Sequence, residues 1–345
     1  MPSQIINRRI VLASRPQGEP TLSNFRLEQE VLPLPGPGQV VLRNRYLSLD
    51  PYMRGRMDDS PSYAPPVALG AVMEGRTVAE VIESHHSGLA PGHWVFAPTG
   101  GWQTHTIAEG NALTRKLDPS GEPPPSTALG VYGMPGFTAY AGLREIGRLQ
   151  SGETLAVAAA SGPVGATVAQ LAKRQGARVI AIAGGPEKVR YLCEELGVDV
   201  ALDHRAADFA EQLRAAAVDG IDVYFENVGG HVFDAVLPLL NDFARIPVCG
   251  TIAHYNHRGQ TRPGPDRLPG FISQVLRQRL TVRGFIQHDF IRLYPEFLRE
   301  MGSWLREGRI RYREDVIDGL ENAPRGLIGL LRGDNFGKCV VKLAD

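Results

Sequence analysis

The sequence predicts an α/β fold: a doubly wound parallel sheet joined to a second, largely β domain. From residue 153 onward, an apolar strand, a short loop and a helix repeat in turn. Residues 1–125 instead hold short strand-like runs set apart by Gly and Pro. The first strand of the repeating region runs straight into a small-residue loop, Ala160-Ser-Gly-Pro-Val-Gly165.

The N-terminal runs are Arg9–Leu12, Gln39–Leu49, Arg76–Ile82, His93–Ala97 and Gln103–Ala108. Between them lie Pro33-Leu-Pro-Gly-Pro-Gly38, Pro91-Gly92 and Gly100-Gly101, a pattern that suits a barrel or sandwich. Residues 118–126 read as a connector. Glu153–Ala160 is almost continuously apolar, as a strand covered on both faces should be. Further strands are expected at Arg178–Ala183, Val198–Leu202, Ile221–Phe225, Arg245–Cys249 and Leu280–Phe285. Helical spacing marks Pro163–Gln175, Pro186–Leu196, 207–217 and 231–240. Such alternation means βαβ units and a parallel sheet. After about 305 come a helix (Asn322–Leu331), a Gly-rich turn and a strand (Lys338–Leu343) that returns to the first domain. The expected domains are therefore 1–125 with 305–345, and 126–304.

A length of 345 residues suits two domains and ample cores. Lys plus Arg and Asp plus Glu are both 37, so no long-range field draws nucleic acid or an anionic membrane. The three cysteines, Cys193, Cys249 and Cys339, are far apart and form no metal-binding spacing. Their sparse, odd count suits a reducing cytoplasm. The start, Met1-Pro-Ser-Gln4, does not read as a signal peptide. No apolar run reaches the ~18 residues of a membrane helix.

The loop reads as Ala160-x-Gly162-x-x-Gly165, a dinucleotide fingerprint with Ala at its first position. Gly162 lets backbone approach a pyrophosphate, and Gly165 lets helix pack on strand. Pro163 suits a first helical turn, and the helix start offers N–H groups and the positive dipole end. Alone, the loop reads equally as an ordinary strand–turn–helix corner. The preceding strand, the following helix and a second strand end about 20 residues on favour a dinucleotide. That second strand ends Ala183-Gly-Gly-Pro-Glu-Lys188, with no carboxylate for a ribose 2′-OH. Small residues and Lys188 favour a 2′-phosphate, hence NADPH. The alternative for Lys188 is a solvated lysine at a helix start.

The chain resembles the zinc-independent medium-chain dehydrogenase/reductases, in the branch of prostaglandin, alkenal double-bond and curcumin reductases. The resemblance rests on Ser48-Leu-Asp-Pro-Tyr-Met-Arg-Gly-Arg56, Gly133-Met-Pro-Gly-Phe-Thr-Ala-Tyr140 and Ala159-Ala-Ser-Gly-Pro-Val-Gly165. It continues through Gly185-Pro-Glu-Lys-Val-Arg-Tyr-Leu192, Asp222-Val-Tyr-Phe-Glu-Asn-Val-Gly-Gly230 and Cys249-Gly-Thr-Ile-Ala-His-Tyr-Asn256. Arg283-Gly-Phe-Ile286 and Asn335-Phe-Gly-Lys338 complete it, so that it runs nearly end to end.

The resemblance implies a Rossmann doubly wound parallel sheet inserted in a GroES-like β-barrel domain. It implies that Gly162, Pro163, Val164, Gly165 and Ala166 lie against the pyrophosphate and Lys188 against the 2′-phosphate. Asn227 and the loop carrying Cys249, Gly250, Thr251 and Tyr255 would line the cofactor. Phe285, Ile286, Gln287 and Asn335 would approach its nicotinamide end. The family often has Tyr where His204 stands, near the adenosine phosphate. His204 would replace that hydrogen bond, with Arg205 adding charge. Zinc-dependent cousins carry Gly-His-Glu with a catalytic Cys; here the stretch reads Gly70-Ala-Val-Met-Glu-Gly75, and no metal is expected. The family also suggests a homodimer, with 271–286 as a source of an interface strand.

The implied reaction reduces the C=C bond of an α,β-unsaturated ketone or aldehyde. Hydride goes to the β carbon and charge builds on the carbonyl oxygen, so donors are wanted. Tyr255 is the first candidate donor and Tyr52 the second, since a phenol is neutral at pH 7. The alternative for each is a packed aromatic with a satisfied hydroxyl. Arg54 and Arg56 suit either phosphate or an ion pair; Met134, Tyr140 and Phe285 suit either pocket or core. Rival functions are an NADPH quinone oxidoreductase, a non-enzymatic NADPH-binding sensor and a Rossmann-like methyltransferase. The last usually keeps an acid at the second strand end.

Overall fold

The computed structural model of the protein describes residues 4–113, 115–257 and 266–343. The chain divides into two compact units, Met1–Gly130 with Glu314–Asp345, and Val131–Arg313.

The first unit begins with strands β1 (Ile6–Leu12), β2 (Phe25–Val31) and β3 (Gln39–Ser48), then a short helix α1 (Met53–Arg56). Strands β4 (Thr77–Ser84), β5 (Trp94–Ala97), β6 (His105–Glu109) and β7 (Lys116–Leu117) follow. Along β3 and β4 the apolar residues Val40, Leu42, Ala79 and Val81 turn inward to one cluster with Val95 and Leu113. A second cluster gathers Ile10, Leu12, Met53 and Met73 around Trp102, which stacks on Phe25 at 5.6 Å. Strand β2 was not expected from its sequence. Its exposed face is charged, and Arg9 of β1 holds it by pairing with Glu28 and Glu30.

The second unit opens with α2 (Met134–Gly142) and then alternates strictly. Its elements are β8 (Thr154–Ala158), α3 (Pro163–Arg174), β9 (Arg178–Ala183), α4 (Pro186–Glu194), β10 (Val200–Asp203), α5 (Phe209–Ala216) and β11 (Ile221–Phe225). They continue with α6 (Gly230–Val236), β12 (Leu240–Val248), α7 (Leu268–Gln278), β13 (Thr281–Gly284) and α8 (Tyr294–Arg306). The six strands form one sheet in the order β10-β9-β8-β11-β12-β13, and every pairing is parallel. In chain order this is 3-2-1-4-5-6, the doubly wound arrangement. All five residues of β8 are buried, which is why apolar residues follow Thr154 without alternation. The segment 271–286 holds the end of α7 and then β13, Thr281–Gly284, which pairs at the sheet edge beside β12.

The chain then returns to the first unit with β14 (Glu314–Asp318), α9 (Ala323–Arg332) and β15 (Lys338–Lys342). Strand β15 pairs antiparallel with β3, Val340 opposite Ser48, so the last strand closes onto the first unit as expected. Strand β14, Glu-Asp-Val-Ile-Asp, is too acidic to read as a strand; it pairs in parallel with β15. Among the described residues no helix is long and apolar enough to cross a membrane.

One ion pair ties the amino end of the parallel sheet together. Arg245 of β12 grips Glu153, just before β8, with two guanidinium nitrogens at 2.8 and 2.6 Å, and donates to the Gly147 carbonyl at 2.8 Å. Loss of solvation pushes Glu153 up, but Arg245 and the Gln150 amide hold it below the usual carboxylate range. A depressed carboxylate adds stability above its unfolded pKa, and that stability is lost as pH falls through the folded value. Arg245→Met should therefore destabilise the protein by about 2 kcal/mol at neutral pH. The gap to wild type should narrow as pH drops below the depressed Glu153 value. Thermal unfolding across a pH series reads both effects.

Candidate functional site

In an open parallel sheet, ligands bind outside the carboxyl ends of the strands where the strand order reverses. Here that point lies between β8 and β11. Asn227, just past β11, bridges the two by donating from Nδ2 to the Ala158 carbonyl at 2.8 Å.

The loop after β8 turns at Ala159, whose φ of 50° is left-handed. This is the tight-turn position, one residue before the Ala160 expected to fill it. Gly162 precedes the helix and Pro163 is its first residue. The Ala166 amide already donates to the Gly162 carbonyl at 2.8 Å, while the amides of the preceding turn have no intrahelical acceptor. A Cβ on Gly165 would lie 2.4 Å from the Ala159 carbonyl oxygen and 2.7 Å from the Ala160 Cα. Helix α3 reaches the strand end only because that atom is missing. At Gly162 a Cβ would meet nothing but the Ala159 oxygen, at 3.3 Å, so the other side of the loop is open for a ligand.

Strand β9 ends Ala183-Gly184-Gly185, without a carboxylate. A Cβ on Gly184 would sit 2.8 Å from His204 Nε2 and 2.9 Å from Arg205 Nε. Both side chains, from the loop after β10, thus lie over the end of β9. Asp203 of β10, opposite Ala183, accepts the backbone amides of Arg205 and Gly185 and also favours the charged form of His204. His204 is held below the ordinary histidine range, first by loss of solvation and then by its neighbours His231, Arg205 and Lys188, with Asp203 opposing them. Lys188 stands on the first turns of α4, close enough for its charge to be felt there. His231, which sequence reasoning passed over, comes from α6 and lies 3.3 Å from His204.

Sequence reasoning also missed Glu226, at the end of β11 and 3 % exposed. Its carboxylate accepts the Val228 and Gly229 amides at 2.6 and 2.8 Å and the Tyr224 hydroxyl at 3.2 Å. Its backbone carbonyl accepts the amides of Cys249 and Gly250. Burial outweighs these donors and pushes the carboxyl up. The only sequence signal was an acid directly after the apolar Val223-Tyr-Phe225.

The loop after β12 carries Cys249, Gly250 and Thr251 into a short turn of helix, Ile252–His257, that holds Tyr255. The Tyr255 hydroxyl folds back to within 3.0 Å of where a Gly250 Cβ would be. His254 Nε2 accepts the Gly230 amide at 3.2 Å and locks this loop to the start of α6. The Cys249 thiol is pushed up to about 12, first by lost solvation and then by Glu226, so it is not a nucleophile at neutral pH. After β13, Phe285 is buried and packs edge-on against Phe225 at 6.3 Å. Ile286 and Gln287 follow it, half-buried, at the start of a short helical turn, where Asp289 accepts the Ile286 amide.

The second unit therefore gathers Gly162, Pro163, Val164, Gly165, Ala166, Lys188, His204, Asn227, Cys249, Gly250, Thr251, Tyr255, Phe285, Ile286 and Gln287 at or just beyond strand ends. Asn335 and Tyr52 belong to the other unit. Asn335 donates within its own turn to the Gly337 carbonyl at 2.8 Å, and Asp315 accepts the next two amides. Burial pushes the Tyr52 phenol far up, and Arg76 donates to its oxygen at 3.3 Å. Arg54 and Arg56 are engaged in ion pairs with Asp58 and Glu74, at 2.6 and 2.8 Å. Tyr140 is core: its hydroxyl donates to Glu300 and accepts from Arg144. Among the described residues no group of three or more His, Cys, Asp or Glu could hold a metal ion.

These features define an α/β crevice made for a dinucleotide, with its adenosine end favourable to an added phosphate. Two family models match: N-terminal domain of oxidoreductase over residues 8–115, and zinc-binding dehydrogenase over 163–303. The NADPH-dependent curcumin reductase of Escherichia coli is 57% identical over 98% of this chain and 97% of its own. Prostaglandin reductase 1 of Rattus norvegicus is 42% identical over 94% and 96%. A crystal structure of CurA in complex with NADPH, from Vibrio vulnificus, is 52% identical with a TM-score of 0.92, covering 98% of this chain and 99% of that one. The chain belongs to the medium-chain dehydrogenase/reductases, in their zinc-independent branch of enone and alkenal reductases.

Two opposite substitutions test the phosphate loop. Ala159→Gly relieves a left-handed alanine and should stabilise the protein by up to about 1 kcal/mol. Gly165→Ala forces a backbone clash and should cost about 2 kcal/mol and weaken dinucleotide binding. Differential scanning calorimetry with and without dinucleotide measures both.

Proposed function

We propose that this protein uses NADPH to reduce the C=C bond of α,β-unsaturated ketones or aldehydes, without a metal. The observation that carries the cofactor choice is the end of β9: Gly184 with no acid, flanked by His204, Arg205 and Lys188. An acid there would favour the plain ribose of NADH; cationic and hydrogen-bonding side chains in its place favour a 2′-phosphate. The bare Gly162 and Gly165 fit a pyrophosphate held against the start of α3. The curcumin, prostaglandin and 2-alkenal reductases among its relatives support the C=C substrate class.

When bound, NADPH supplies the hydride that goes to the β carbon. The chain's own residues bind, orient and stabilise charge. Gly162–Ala166 would hold the pyrophosphate, and Asn227 with the Cys249–Tyr255 loop would line the cofactor. Phe285, Ile286, Gln287 and Asn335 would border the nicotinamide end. Tyr255 would donate its hydroxyl proton toward the carbonyl oxygen, where charge builds, with Tyr52 as the second donor. Burial keeps the Tyr52 proton on its oxygen throughout the neutral range, as a donor requires. A cytoplasmic homodimer is part of the same proposal.

The deciding assay follows NADPH consumption with trans-2-alkenals, phenyl-substituted enones and benzoquinones. The expected result is turnover of the first two classes; turnover of quinones alone would replace this reading with a quinone reductase. Tyr255→Phe should lower kcat by roughly 10- to 100-fold while NADPH still binds, and an unchanged rate would remove Tyr255 from the chemistry. Lys188→Ala should raise the KM for NADPH about tenfold, with little change for NADH. Steady-state kinetics with the two cofactors measures that difference.

A further inference from the structure

The loop after β10 and the start of α6 bring together two histidines 27 residues apart in sequence. His231 Nε2 lies 3.3 Å from His204 Nδ1 and 3.1 Å from the His204 backbone carbonyl. The rings stand 5.2 Å apart, and the edge of Phe209, from α5, packs on His231. A carbonyl oxygen only accepts, so the hydrogen bond to it requires a proton on His231 Nε2. That same N–H then faces His204 Nδ1, which must be the accepting, bare nitrogen. A neutral imidazole carries one proton, so the His204 proton sits on Nε2. His204 Nε2 is the atom found 2.8 Å from the Cβ that Gly184 lacks, at the end of β9.

We propose that His231 is a positioning residue for cofactor selection: it fixes the His204 tautomer so that an Nε2–H donor points over Gly184, toward the 2′-phosphate of NADPH. The inference rests on the NADPH reading above and adds a residue and a mechanism to it. The groups around His204 agree. Arg205 adjoins it and Lys188 acts from α4; Asp203, which accepts two backbone amides, opposes them but does not reverse the balance. Lost solvation and these positive neighbours hold His204 below the ordinary range, so at pH 7 it is a neutral ring whose tautomer matters. In the other tautomer a lone pair would face the phosphate oxygens and repel them. His231 itself is exposed and can be replaced without disturbing a core.

The test compares the full-length wild type with His231→Leu, which removes the donor, and His231→Gln, which keeps an N–H. Calorimetric titration uses adenosine 2′,5′-bisphosphate, 5′-AMP and NADPH as probes. Nitrogen-15 NMR of the histidine side chains reads the tautomer. The expected result is a His204 Nδ1 without a proton in wild type and His231→Gln, and mixed tautomers in His231→Leu. Affinity for adenosine 2′,5′-bisphosphate and NADPH should fall about tenfold in His231→Leu, with 5′-AMP unchanged and His231→Gln restoring most of it. Equal losses for both nucleotides, no loss, or a proton on Nδ1 of wild-type His204 would overturn the proposal while leaving NADPH use intact. Failure of wild type to bind NADPH at all would overturn both.

Discussion

The absence of one carbon atom at Gly165 sets the geometry of the second unit. With a Cβ there, α3 would strike the carbonyl of Ala159 and the Cα of Ala160, and could not start where it does. The close approach sets the start of α3 at the carboxyl end of β8, next to β11, where the strand order reverses. Within the second unit, Asn227 on the Ala158 carbonyl and the end of β9 one strand over lie beside that corner. The strain at Ala159 is the cost of turning so sharply, of order 1–2 kcal/mol for a left-handed alanine.

A second constraint is electrostatic. A carboxylate that accepts two or three N–H bonds in water-accessible surroundings would be strongly acidic. Glu226 accepts two amides and a phenol, yet burial still wins and its pKa rises. So costly a group must be fully satisfied. It shapes the Asn227–Gly230 turn through its side chain and the start of the Cys249 loop through its backbone. Both segments face the cofactor in the reading advanced here. Glu226 therefore acts through neighbours rather than on a ligand, and it adds to the burial that raises the Cys249 thiol.

Selectivity follows from a different balance. At the end of β9 the chain places no acid, leaves Gly184 bare and surrounds the gap with one lysine, one arginine and a histidine pair. Lys188 and Arg205 provide charge there. The histidine pair provides direction, because a ring with a fixed tautomer presents one donor along one line. Charge and direction together separate a phosphate from a hydroxyl better than either would alone.

Sequence alone determined the parallel sheet, because an all-buried strand such as β8 must be almost continuously apolar and its helices must show a 3.6-residue period. It also determined the phosphate corner and the missing acid, since Gly162, Gly165 and Ala183-Gly184-Gly185 act through their own backbone or their own lack of side chain. Strands β2 and β14 escaped notice because their exposed faces are charged and their partners, Arg9 and β15, lie far along the chain. Only the tertiary structure brought His231 to His204, hung two loops on Glu226 and folded the Tyr255 hydroxyl over Gly250. The first two of those contacts join residues from separate strand ends, and the third closes a loop on itself. Local periodicity says which face a residue takes, but the sheet order and the rotamers decide which distant side chain it meets there.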